Sequence, residues 1–248
     1  LLAIVALCSC LKQGGEDTDN VSYYLDFVNK ILNEGKETYK DSNHHLKESL
    51  GNFYVIDDPL ELKYKAKYQN MTTDEMLELI KSGKYDMEGN PIKADALYEY
   101  VKSFNDSSDQ GFVYSYPNRI LAHFGVDQFE VMKERLLNAL GSNRAVAITY
   151  DPELDCDRED IPCLQFLQAF VRDGELTIHC MFRSNDIFGA FYSNIFFITH
   201  IGITLREELN KELINEQVGF GGIHYHSTSG HIYSNDMRAA RSMVSKHK

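Results

Sequence analysis

Asp173-Gly174, set between two apolar runs, is the feature that most constrains this chain, because it folds one run back onto the other. Asp-Gly supplies the positive φ values that a two-residue hairpin loop needs. The first run opens at Asp160-Ile161-Pro162-Cys163-Leu164-Gln165 and reaches Val171. The second alternates Leu176, Ile178, Cys180 and Phe182 and ends in Arg183-Ser184-Asn185-Asp186. With Arg172-Asp173-Gly174-Glu175 as the turn, Cys163 is predicted to face Arg183-Ser184 across the ladder. A cation fixed beside a thiol favours the thiolate, which is the nucleophilic form. The bland alternatives are a core cysteine and an arginine in an ordinary surface salt bridge.

A net charge of −12 over 248 residues argues against nonspecific nucleic-acid binding, which needs a basic surface. It leaves room for an anionic small ligand held by a few arginines. The 43% hydrophobic share, with 14 Phe and 15 Tyr, is enough for one sizeable core. Cys8, Cys10, Cys156, Cys163 and Cys180 are odd in number and irregularly spaced, so neither a disulfide framework nor a zinc pattern follows. A reducing cytoplasm is the expected location. Residues 1–10 are apolar and look like the core of a secretory or lipoprotein signal. A misassigned or truncated start, or a short buried segment, is the simpler reading, and no basic residue stands in front. The apolar stretch Ile187–Ile203 is interrupted by Ser193, Asn194, Thr199 and His200, which suits a buried helix better than a membrane span.

The chain divides into an apolar segment and polar linker over 1–20 and a single catalytic-sized domain over 21–248. Tyr24, Phe27, Ile31 and Leu32 form a helical stripe ending near Gly35. Asn52 to Ile56 reads as a strand. Thr72-Thr73-Asp74-Glu75 opens a helix with a capping-box pattern, which Gly83 would end. Lys84 to Gln110 is turn-rich, with one helical patch around Ala94–Val101. Val126, Phe129, Met132, Leu136 and Leu140 make a helical face stopped by Gly141. Ala145–Tyr150 reads as a strand, Asp151–Asp160 as an acidic loop, 187–206 as the buried helix and Ile223–His226 as a further strand. Helices and hairpins in this mixture give an α+β fold.

Ile161-Pro162-Cys163, Arg183-Ser184-Asn185-Asp186, Asn194 and His231-Ile232-Tyr233-Ser234-Asn235 resemble the thymidylate synthase family in order and spacing. The match is densest from Val113 to Asp236 and extends back to Leu25–Glu37, where Ile31-Leu32-Asn33-Glu34-Gly35-Lys36-Glu37 looks like the family's first helix. Cys163-Leu164-Gln165 and Phe182-Arg183-Ser184-Asn185-Asp186 look most like the archaeal-type subfamily. The resemblance implies a mixed β-sheet flanked by helices, with two subunits packed sheet to sheet as a homodimer. It implies reductive methylation of dUMP to dTMP, begun by addition of Cys163 to C6 of uracil. The one-carbon donor would be 5,10-methylenetetrahydrofolate, or a methanopterin analogue, with no metal.

Carried over residue by residue, Arg183 would stabilise the thiolate and grip the phosphate, and Ser184 would donate to the phosphate. Asn194 offers a donor and an acceptor to the O4 and N3–H edge of uracil, where related deoxycytidylate hydroxymethylases carry an aspartate. His231 and Tyr233, on one strand face, would hold the deoxyribose 3′-hydroxyl. Asp186 would bond the pterin ring, cap the helix that follows, or do both. Tyr114 matches an active-site tyrosine, followed by Arg119. Glu75, with Glu78 next, fits the glutamate that assists proton transfer, although Glu75 is equally the capping-box residue. His224 and His226 share the 231/233 spacing, but no accompanying carboxylate or cysteine supports a metal.

Two family arginines are missing. The adjacent pair that reaches the partner subunit's phosphate is here Asn143-Arg144, and the early Asp-Arg-Thr-Gly loop is Asp41-Ser42-Asn43-His44. Arg183 and Arg144, with Arg119 as a third candidate, are left for the phosphate. The long C-terminal extension of bacterial enzymes has no counterpart before Lys248, so looser closure and a hydroxymethyl product stand as a second reading; the missing arginines and the unusual N-terminus motivate a third, a nucleotide-binding relative without turnover.

Overall fold

The computed structural model describes residues 22–40, 44–59, 107–108, 113–214 and 216–246. The helix predicted over 72–83, the patch at Ala94–Val101, the apolar N-terminus and Glu75 and Glu78 lie outside these residues. Helix α1 (Ser22–Glu34) buries Tyr24, Phe27, Val28 and Ile31, the 3.6-residue stripe of the sequence. Gly35 ends it, where a Cβ would stand 2.5 Å from the Ile31 carbonyl oxygen. Strands β1 (Lys36–Tyr39) and β2 (His45–Ile56) follow as an antiparallel pair, so β2 begins seven residues before the predicted Asn52.

The short helix α2 (Tyr116–Leu121) starts at Ser115, whose Oγ accepts the Asn118 N–H. Asp127 caps α3 (Gln128–Asn138) in the same way. Strand β3 (Ala145–Ile148) and the one-turn helix α4 (Pro152–Asp155), inside the predicted acidic loop, lead to the hairpin. Strands β4 (Leu164–Arg172) and β5 (Glu175–Phe182) pair antiparallel with Arg172 opposite Glu175. Asp173 and Gly174 have φ of 52° and 77°, the backbone that Asp-Gly was predicted to supply. Two-residue β6 (Asn185–Asp186) precedes the long helix α5 (Phe191–Glu212). Strand β7 (Gly219–Tyr233), a short 3₁₀ turn and α6 (Met237–Ser245) follow.

Among the described residues the strands form one sheet in the order β1-β2-β7-β5-β4-β3, with β6 also paired to β7. The β5–β7 and β6–β7 pairings are parallel and the others antiparallel, so the sheet is mixed. One face carries Leu167, Ala169, Ile178, Cys180, Ile223 and Tyr225, buried with α1, α3 and α5 in a single core. On the other face Ile148, Phe166, Met181, His226 and Phe53 stand in one row across five strands. Ile148, Met181 and Phe53 in that row are 43%, 37% and 54% exposed. No helix among the described residues is long and apolar enough to cross a membrane.

Candidate active site

The hairpin delivers Cys163 to Arg183. The ladder shifts by one residue between Leu164 and Phe166, which brings Leu164 opposite Phe182, and the Arg183 backbone N–H donates to the Cys163 carbonyl at 2.8 Å. The Arg183 side chain reaches back over the same loop: Nε donates to the Pro162 carbonyl at 3.0 Å and Nη2 to the Ile161 carbonyl at 2.7 Å. From the other side, the Leu164 N–H donates to the Tyr116 hydroxyl at 3.2 Å, and the Thr149 hydroxyl donates to the Leu164 carbonyl. Cys163, half-buried and unpaired, is therefore framed by bonds on both neighbours. Tyr114 lies against it: burial pushes its phenol up, the Cys163 thiol and Asp160 carboxylate add to this, and Arg183 and the Cys163 N–H oppose it.

β5 and β6 pair with β7 in one continuous register, Phe182 opposite Ser227 and Asn185 opposite Gly230. That register places Ser184 beside His231, with Oγ 3.3 Å from Nδ1. His231 is 5% exposed and its buried Nε2 has no hydrogen-bond partner among the described residues. Burial, with Lys40 as the next cause, lowers its pKa to about 4, so the ring is neutral near pH 7. The Tyr233 ring lies 5.0 Å from it, as alternation along the strand predicted. A cavity of about 540 Å³ opens beside Tyr233, lined also by His44, His45 and Asp236.

Asn194 sits one turn into α5, 7% exposed, and its Nδ2 donates to Asn185 Oδ1 at 2.9 Å. Asn185 in turn donates from Nδ2 to the Tyr225 hydroxyl at 2.6 Å. Asp186 accepts the Gly189 N–H on Oδ1 at 3.0 Å, and burial raises its pKa. This closes a turn over 187–189, so α5 begins at Phe191 rather than Ile187 and the cap residue is Ala190. The expectation that Asp186 caps the helix is corrected accordingly.

The structure also corrects Arg119. It is 1% exposed and paired with Asp155 at 2.7 Å, and it donates to the Thr149 carbonyl at 3.2 Å. A guanidinium spent inside the core is not a phosphate ligand. Arg144 is exposed at the start of β3, where Ala145 pairs with Ala169. Cys163 lies beyond the other end of that pairing, on the order of 20 Å along the strand at about 3.3 Å per residue. His224 faces His179, ring centroids 4.2 Å apart, and no group of three metal-ligating side chains occurs among the described residues. The sequence reading missed Asn185, Tyr225, Tyr116 and Thr149 as supports; only Asn185 lay within a motif it had singled out.

An α+β fold that sets a cysteine, a forked arginine and a buried histidine at one end of a mixed sheet defines a class of site suited to covalent chemistry on an anionic ligand. The chain belongs to the thymidylate synthase family, whose model, described as Thymidylate synthase, matches residues 22–248. A Methanothermobacter marburgensis protein is 29% identical over 221 residues, covering 89% of this chain and 93% of its own length. A Methanocaldococcus jannaschii protein is 30% identical over 221 residues, covering 86% of each chain. Both carry the name thymidylate synthase provisionally.

Proposed function

We propose that this protein is a methyltransferase that converts dUMP to dTMP. The observation that carries the reading is the convergence of Cys163, strapped under Arg183, with Ser184 and a neutral His231 whose buried Nε2 has no partner among the described residues. An orphaned buried nitrogen is costly unless a ligand meets it, and a sugar hydroxyl, which both donates and accepts, suits it. Cys163 Sγ bonds to C6 of uracil, and the C5–C6 electron pair moves toward the C4 oxygen, leaving C5 nucleophilic. Asn194 meets O4 and N3–H, and Tyr233 shares the 3′-hydroxyl with His231. Arg183 and Ser184 face the phosphate. Loss of the C5 proton expels the Cys163 thiolate, with Tyr114 beside it and Glu75 proposed to assist that proton's transfer.

When bound, 5,10-methylenetetrahydrofolate, or a methanopterin in its place, supplies the one-carbon unit and a hydride. Asp186 fits the role of holding the pterin, since a carboxylate has acceptor capacity beyond the one Gly189 N–H. Arg144 is assigned to the partner subunit's phosphate, consistent with its distance along the strand from its own Cys163 end. The largely apolar row on the open sheet face, Ile148 to Phe53 with His226 among it, is the surface a second copy would bury in a homodimer. The unpaired Cys156, Cys163 and Cys180 suit a cytoplasmic location.

Mass spectrometry of the nucleotide after incubation of purified protein with dUMP and methylenetetrahydrofolate tests the reading. A product heavier by one methylene supports it, and Cys163→Ala is expected to abolish that product. A hydroxymethylated nucleotide, or full activity in Cys163→Ala, refutes it. Sedimentation at micromolar concentration tests the dimer, which an active monomer would refute.

A further inference from the structure

We propose that Asn185, anchored on Tyr225, is a positioning residue that sets base specificity by holding the Asn194 amide in a single orientation. The inference rests on the reading above that Asn194 meets the base, and it explains how an asparagine can choose between two bases at all.

A primary amide is ambidextrous. Its carbonyl accepts and its NH₂ donates, and a half-turn exchanges the two. Uracil presents an acceptor at O4 and a donor at N3–H, whereas cytosine presents a donor at the 4-amino group and an acceptor at N3. A free asparagine would meet uracil in one orientation and cytosine in the other, at little cost to itself. Discrimination therefore needs something behind the amide that penalises the half-turn.

That support is present in the buried array behind Asn194. Asn185, 1% exposed, accepts the Asn194 Nδ2–H on Oδ1 at 2.9 Å and donates from its own Nδ2 to the Tyr225 hydroxyl at 2.6 Å. The bonds run head to tail, so turning Asn194 alone would set its carbonyl oxygen against that of Asn185; relieving that clash needs the buried Asn185 amide to turn as well, with the Tyr225 hydroxyl changing from acceptor to donor. Tyr225 cannot easily yield. It is fully buried, and its ring lies 5.4 Å from both Phe182 and Phe191. Its backbone is fixed between β2, where it pairs with Tyr54, and β5, where it pairs with Cys180. With one N–H given to Asn185, Asn194 has one further N–H and its carbonyl for the ligand, in the order that complements O4 and N3–H.

The test is calorimetric titration of the full chain with dUMP and with dCMP, read as the ratio of the two dissociation constants. Wild type is expected to favour dUMP. Asn185→Leu removes the clamp and should lower the ratio about tenfold or more, chiefly by letting dCMP bind, since a misplaced buried hydrogen bond is worth about that factor. Tyr225→Phe removes only the far anchor and should lower it several-fold, and it carries the test if Asn185→Leu does not fold. Asn185→Asp still accepts from Asn194 and should restore the ratio. A purely structural role would weaken both nucleotides together and leave the ratio unchanged. A selective wild type whose ratio stays within twofold in Asn185→Leu and Tyr225→Phe overturns the clamp. A wild type that does not distinguish the nucleotides overturns the reading of Asn194 itself.

Discussion

Replacing Arg183 by lysine keeps the positive charge and removes the fork, so it isolates what geometry contributes. In the native chain Nε and Nη2 reach two different carbonyls, Pro162 and Ile161, at 3.0 and 2.7 Å. A single ammonium on a flexible stem is not matched to both. One charge-assisted bond is lost, worth about 1.5–3 kcal/mol, and the half-buried position argues for the lower end. At about 1.4 kcal/mol per decade, the loop over 161–163 should open roughly tenfold more often. Hydrogen exchange read by mass spectrometry reports this directly. The Leu164 and Arg183 amides, bonded to the Tyr116 hydroxyl and the Cys163 carbonyl, are the reporters. Arg183→Lys should speed their exchange about tenfold, and Arg183→Met, which loses both bonds, on the order of a hundredfold. Exchange at the Arg172–Glu175 end of the hairpin, on the order of 30 Å along β4 at about 3.3 Å per residue, should not change. Protection within twofold of wild type in Arg183→Lys would refute the claim that the fork straps the cysteine loop.

Asp155→Ala strands the buried Arg119 guanidinium and should cost about 3–5 kcal/mol in a urea titration; a loss under 1 kcal/mol would mean the pair is dispensable. Gly222→Ala forces a residue into φ of +99° with its Cβ 2.3 Å from the Ile56 carbonyl, and should lower stability by at least about 1–3 kcal/mol. His231 and His179 are both depressed to about 4, by burial first, so the unfolded chain binds more protons below its pKa of about 6.5. Stability from these neutral rings is complete above pH 6.5 and lost as pH falls toward 4, with up to about 3 kcal/mol from the more deeply buried His231. A urea midpoint flat between pH 6.5 and 4 would contradict this.

What the sequence revealed was what local chemistry determines. Asp173-Gly174 set the turn, whose register brings Cys163 opposite Ser184; the one-residue shift between Leu164 and Phe166, which no sequence signal announced, moves it on to Arg183. Strand β7 was legible only in part, because its glycines and alternating His, Ser and Thr lack the apolar signal of a strand, and a positive-φ Gly222 stands at its beginning. The start of α5 was misplaced because the Asp186 carboxylate binds Gly189 instead of the helix. Arg119 was misread because its partner, Asp155, lies 36 residues away and no local pattern announces the pair. Tyr225 stayed hidden for the same reason: its link to Asn185 spans 40 residues and exists only once β6 has joined β7.

Apart from His231 Nε2, the polar groups that converge on the site are largely engaged before any ligand arrives, and this decides what kind of site it is. Arg183 spends two of its five N–H donors on carbonyls, Asn194 one N–H on Asn185, and Asp186 one acceptor position on Gly189. These bonds lock rotamers that a ligand would otherwise have to order at an entropic cost of about 0.5–1.5 kcal/mol per side chain. They leave Arg183 with donors in hand, so strapping the cysteine loop and facing a phosphate need not compete. They also tie the two jobs together. An anion drawn to the free edge of the guanidinium would hold in place the same fork that positions Cys163, so phosphate binding would tighten the loop that carries the thiol. On the proposed reading, a family pattern with fewer arginines at the phosphate would therefore retain its chemistry, provided one of those that remain touches the cysteine loop.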